Sequence, residues 1–165
     1  MTGDEALEAL HASMVDVVVA AGALDAGDLD RTPSASLDVE SGWTPRQIVA
    51  HILWWHERYI NVLSAAIDGR QPPALPGTLD DINVRGVEAY GDRSVEELTR
   101  ALETKQDVLE SLTSVLYELP RLERDAVVIV TRDGGTPVGL DGFVGRVTGH
   151  LHGHARDIRG RAASR

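Results

Sequence analysis

The chain has 165 residues, a formal net charge of −10 and no cysteine. That length suits one domain around one core. The missing thiols exclude disulfides, thiolate nucleophiles and every cysteine-based zinc motif, so any metal here needs His, Asp or Glu ligands. The acidic balance opposes a phosphate backbone, and no nucleic-acid partner is expected. The basic cluster of Arg156, Arg159, Arg161 and Arg165 instead complements the negative end of a last helix. No run approaches the ~18–20 apolar residues that cross a bilayer. The longest near the N-terminus, residues 17–21, follows acidic residues where a secretory signal has basic ones. The chain therefore reads as cytoplasmic, without a membrane partner.

Leu7, Leu10, Met14, Val17 and Ala21 recur at three- and four-residue steps. They predict a first helix over residues 4–23. Gly22, Gly27 and Pro33, among several Asp and Ser residues, then predict a long loop. Thr44-Pro45-Arg46-Gln47 is a capping box with proline at the first helical position. Trp43 and Ile48 stand where a hydrophobic staple would close. Ile48, Ile52, Trp55, Tyr59, Val62, Leu63 and Ala66 carry this second helix to about residue 68. A short helix is predicted over residues 79–90, weakened by Gly86. Ser94-Val95-Glu96-Glu97 is another capping box and opens a long helix stopped by Pro120. The β-branched run at residues 126–131, before Asp133-Gly134-Gly135, predicts a small hairpin or extended arm covering one end of the molecule. A last helix follows over residues 141–161. Four long amphipathic helices predict an all-α four-helix bundle.

Six histidines offer the chemistry. Each helical residue turns about 100°, so His150 and His154 share a face while His152 points nearly opposite. Such a pair can hold one metal ion from a single helix. His51, near the apolar face of the second helix, is the candidate third ligand. His56 lies about 140° further round and is expected to meet solvent or a partner. His11, beside the first apolar stripe, is a candidate fourth neighbour. The alternative for each histidine is a satisfied, partly buried imidazole. Trp54, Trp55, Tyr59 and Asn61 are candidates to line a pocket, with packing as the alternative. Asp157 stands three residues past His154, placed either to accept from that imidazole or to pair with Arg161. Gly145, Gly149 and Gly153 repeat every fourth residue. Helical glycines cost about 1 kcal/mol each, so the row predicts close approach of another backbone or of a ligand.

These residues resemble a known family. The segment Trp43-Thr44-Pro45-Arg46-Gln47-Ile48-Val49-Ala50-His51-Ile52 is similar to the capped, histidine-bearing helix of the DinB-like bundles. Asp133-Gly134-Gly135-Thr136-Pro137-Val138-Gly139-Leu140 resembles the approach to their last helix, and His150 to His154 their closing His-x-x-x-His. The resemblance spans nearly the whole chain. It implies an unusual four-helix bundle, a metal triad of His51, His150 and His154, and a homodimer. Actinobacterial members include mycothiol-dependent maleylpyruvate isomerase, whose pattern has Glu where this chain has His150. The implied function is a metal-dependent enzyme acting on a small-molecule substrate. It would be a transferase or isomerase using a divalent Zn, Ni or Fe ion and a low-molecular-weight thiol such as mycothiol. Two other readings stay open: a non-catalytic bundle that binds a small molecule or toxin, and a structural helical dimer without metal.

Overall fold

The computed structural model describes residues 1–30 and 42–163, with side chains described to residue 160. Helix α1 is Gly3–Gly22, α2 Ala26–Leu29, α3 Pro45–Ile67, α4 Leu79–Glu88, α5 Val95–Tyr117, α6 Arg121–Asp125 and α7 Leu140–Ala163. The four long helices are α1, α3, α5 and α7, and the fold is all-α as expected. Their starts follow local chemistry. Thr44 and Gln47 cap α3 reciprocally, and Ser94 and Glu97 do so for α5. Two further boxes, Thr2 with Glu5 and Thr78 with Asp81, start α1 and α4. The expected loop after α1 contains the short helix α2, capped by Asp25. Pro33, read as part of that loop, lies outside the described residues.

Helix directions follow from which residues meet. The Met1 amino group bonds Asp141 and Asp16 meets His152, so α1 and α7 run parallel. Gly3 lies against Tyr117 and His11 near Glu110, so α1 and α5 run antiparallel. Tyr59 meets Phe143 and His51 meets His154, so α3 and α7 run antiparallel. Hence α3 and α5 are parallel, and the bundle reads up, down, down, up. Residues 68–94 must therefore carry the chain back along the bundle, and α4 rides on α3 during that return. Gly86 permits the contact: a Cβ there would stand 3.1 Å from the Trp54 ring. Around the bundle α1 contacts α7 and α5, and α5 contacts α3, each along extended faces. The α3–α7 seam is much shorter, so this is where the bundle opens.

The expected hairpin is corrected. Among the described residues no strand forms; one antiparallel bridge joins Ile129 and Val138. The ladder cannot grow in either direction. Toward α7 its next partner would be Leu140, which is already helical. Toward the turn, the Thr131 carbonyl accepts from Arg58 Nε at 2.7 Å and the Thr136 carbonyl from Arg146. Buried Arg58 also donates to the Pro73 carbonyl, tying two loops to α3.

The core is continuous. Leu10, Ile48, Ile52, Leu63, Leu102, Leu109, Phe143, Val147 and Leu151 are all sealed from solvent, with Trp43 among them. Phe143 is fully buried and meets Tyr59 edge-on at 5.6 Å. Phe143→Ala is expected to lower stability by about 3–5 kcal/mol in chemical denaturation. Leu122→Ala, at a residue 86% exposed, is expected to change it by less than ~0.5 kcal/mol.

Candidate metal centre

At the α3–α7 seam, three imidazoles from two helices turn their Nε2 atoms toward one point. His51 Nε2 lies 3.0 Å from His150 Nε2, and His154 Nε2 lies 3.1 Å from the same atom. The i, i+4 spacing puts His150 and His154 on one face of α7, while the antiparallel pairing brings His51 opposite. His51 and His154 are buried and His150 is partly so. Ring centroids stand 4.6–5.1 Å apart across the three pairs.

Proton counting shows what this cluster lacks. His154 Nδ1 faces the Asp157 carboxylate at 3.1 Å, which fixes the proton on Nδ1. Its Nε2 therefore presents a bare lone pair. His150 Nε2 carries at most one proton and has a nitrogen on each side. If that proton goes to His154, His51 must supply no proton at its Nε2 contact for the arrangement to hold. If it goes to His51, or is absent, two lone pairs face each other about 3 Å apart. Burial opposes a charged ring at His51 and at His150. Desolvation lowers the His51 pKa to about 2 and pushes that of His150 well below its ordinary value, with the neighbouring imidazoles adding to both. A divalent cation accepts all three lone pairs at once. Nitrogens bound tetrahedrally to zinc at ~2.0–2.1 Å stand about 3.3 Å apart, close to the spacing seen. The residues fit such an ion.

Beyond the triad, Tyr59 Oη lies 3.4 Å from His150 Nδ1, and burial raises the phenol pKa so that it keeps its proton. His51 Nδ1 is buried without a hydrogen-bond partner. The Trp43 ring packs 4.9 Å from His51, so Trp43 closes the site as well as belonging to the core. Trp55 and Tyr59 line a cleft of about 280 Å³ that exposes His51 and His150. Trp55 is fixed by donating to Asn83 Oδ1 on α4 at 3.0 Å.

Several expectations change. Trp54 does not line this cleft; it packs on Gly86 and edge-on against Trp55. Asn61 is exposed. His56 does not meet solvent: it is 0% exposed at the α3–α5 contact, with Nδ1 on the Ile52 carbonyl and Nε2 on Gln106, each at 3.0 Å. His11 is no fourth neighbour; α1 lies diagonally from α3, and His11 is an exposed side chain near Glu110. His152 points away as expected, toward Asp16, which also pairs with Arg159. The Arg161 side chain lies outside the described residues. Among the described residues nothing approaches the glycine row: a Cβ at Gly145, Gly149 or Gly153 would meet nothing within 4 Å.

Two charged residues of the cleft escape a histidine-centred reading. Arg146 stands one turn before His150, so Arg146, His150 and His154 form one row at i, i+4 and i+8. Arg132 comes from the loop after the Ile129 bridge. The regular row is the signal that was present in the sequence.

The family model described as the DinB superfamily matches residues 6–158. Two solved structures of the mycothiol-dependent maleylpyruvate isomerase are similar, each with a TM-score of 0.74 at 13% identity. The match covers 96% of this chain and 61% of theirs, so the chain spans under two thirds of that enzyme. DfsB, a sibling lethal factor precursor, is similar with a TM-score of 0.71 at 19% identity, over 99% of this chain and 96% of its own. Among curated proteins none is similar enough to match.

Two outcomes follow. Folded-state pKa values of buried His51, His56 and His150 are depressed, so below the unfolded value of ~6.5 the unfolded chain binds protons that the native state refuses. His51, with a folded value of about 2, then removes up to about 1.4 kcal/mol of stability per pH unit, and His56 and His150 act in the same direction. Denaturation of metal-free protein from pH 7.5 to 5 is expected to show flat stability above pH 7 and a steep fall below 6.5. Gly149→Ala, on an open helical face, is expected to raise stability by about 0.5–1 kcal/mol, measured by the same method.

Proposed function

We propose, from the premise that this chain belongs to the DinB superfamily, that it is a metal-dependent enzyme using a small thiol to transform an electrophilic small molecule. The carrying observation is the convergence of His51, His150 and His154 Nε2 atoms beside a solvent-reached cleft. His51 from α3 and the His150/His154 pair from α7 would hold the ion. When bound, a divalent Zn, Ni or Fe ion supplies Lewis acidity toward a thiol or water.

The chain's own groups define the rest. Asp157 holds the His154 ring in the tautomer that offers Nε2. Tyr59, kept protonated by burial, is a neutral hydroxyl beside His150. Trp43 and Trp55 exclude water from the far sides of His51. With no cysteine, the chain brings no sulfur nucleophile of its own. An external thiol fills that need, and the similarity to a mycothiol-dependent isomerase supports mycothiol as its type. Transferase and isomerase chemistry both begin with that thiol adding to the electrophile.

One observation favours a second reading. DfsB is matched almost end to end, whereas the isomerase extends well beyond this chain. In that reading the bundle sequesters a small molecule without turnover.

Elemental analysis of protein purified without a histidine tag separates these readings from a metal-free bundle. About one equivalent of divalent metal is expected, falling below about a tenth in the His51→Ala/His154→Ala double variant. Unchanged metal content in that variant would refute the triad. Turnover of 1-chloro-2,4-dinitrobenzene that needs both metal and added mycothiol supports the enzyme; binding without turnover supports the second reading.

A further inference from the structure

The cleft beside the triad is electrostatically unlike the molecule that contains it. The chain carries a net charge of −10, yet among the described residues no Asp or Glu lines this cleft. Its charged walls are two guanidiniums, Arg132 and Arg146. Neither forms an ion pair with a carboxylate among the described residues. Arg146 instead donates to neutral oxygens, to Thr131 Oγ1 at 3.3 Å and the Thr136 carbonyl at 3.4 Å. Both bonds are long, and a guanidinium has five N–H donors. Those contacts aim the group without neutralising it.

A half-buried cation with spare donors in an acidic protein has a cost unless it serves a ligand. Its row explains the purpose. Arg146 and His150 are one helical turn apart on α7, about 6 Å along the axis, and both reach the same cleft. A ligand spanning them would be short. The cleft volume, about 280 Å³, also sits at the lower edge of the usual range for small-molecule sites.

We infer that Arg146, assisted by Arg132, is the anchoring subsite for a carboxylate of the substrate, so that the molecule acted on is a small organic acid. This inference rests on the proposed function only for what happens to the acid's reacting carbon, which would face the histidines. The anchoring itself needs no metal. Fork-shaped guanidinium donors match a carboxylate's two oxygens, and the match gives orientation as well as affinity.

The test is a titration with succinate, and with succinamide as its neutral counterpart, followed by NMR chemical shifts. It uses protein as purified and the same protein after chelator treatment. Succinate is expected to bind in both samples, and at least about tenfold more tightly than succinamide. Arg146→Met is expected to abolish that preference, Arg146→Lys to retain part of it, and Arg132→Met to weaken it. Melting temperature and metal content of each variant report any loss of fold or of the triad. The inference is overturned if folded Arg146→Met still prefers succinate as the wild type does, or if the wild type shows no preference. It is also overturned if chelation alone abolishes binding, since the metal would then be the anchor. A protein without metal that keeps the Arg146-dependent preference would remove the proposed reaction and leave the subsite standing.

Discussion

Two Nε2 contacts of about 3 Å, from His51 and from His154 to His150, constrain everything around them. With the proton on His154 Nδ1 committed to Asp157, neutral rings are compatible in one arrangement: His150 Nε2 donates to His154 while His51 Nε2 stays bare. Burial disfavours the charged form of His51 and His150. An uncompensated buried polar group costs roughly 1–3 kcal/mol. The α3–α7 seam is short, and the long α1–α7 and α3–α5 contacts hold the frame around it. A site of this kind belongs on rigid elements, and here all three Nε2 atoms come from helices rather than loops.

The topology explains why the seam is available. Up, down, down, up ordering sets α3 and α7 antiparallel as neighbours but joins them through neither a short loop nor a long packed face. Arg58, Trp55 and Arg146 fill the widened space with groups that bind loops, α4 and the cleft mouth. Arg58 holds residues 73 and 131 to α3, Trp55 holds Asn83, and Arg146 holds the 131–136 turn. The loop that might have been a hairpin is thereby turned into the cleft's wall. Those wall contacts hold the Arg146 guanidinium at the cleft of an otherwise acidic protein.

Much of the frame was legible in local signals. The capping boxes at Thr44 and Ser94 act within four residues, so their helices start where the sequence places them. His150 and His154 share a face by helical geometry alone. His56 was misplaced because a single apolar stripe implies a single buried face, whereas α3 meets α5, α4 and α7 on three sides. The 126–131 run has strand-like composition, but its ladder loses to the helical start at Leu140 and to the side chains of Arg58 and Arg146. Those are long-range competitors that no window of sequence contains. The glycine row invited a close backbone neighbour and has none among the described residues. Periodicity marks a face; it does not say what covers it.

The most direct measurement is X-ray absorption at the metal edge of zinc-loaded, tag-free protein. A centre built from His51, His150 and His154 is expected to show three imidazole nitrogens at ~2.0–2.1 Å, with the outer-ring scattering typical of imidazole and one exchangeable oxygen ligand. A first shell of oxygens alone, or fewer than two imidazoles, would contradict convergence on a common ion and leave only the bundle.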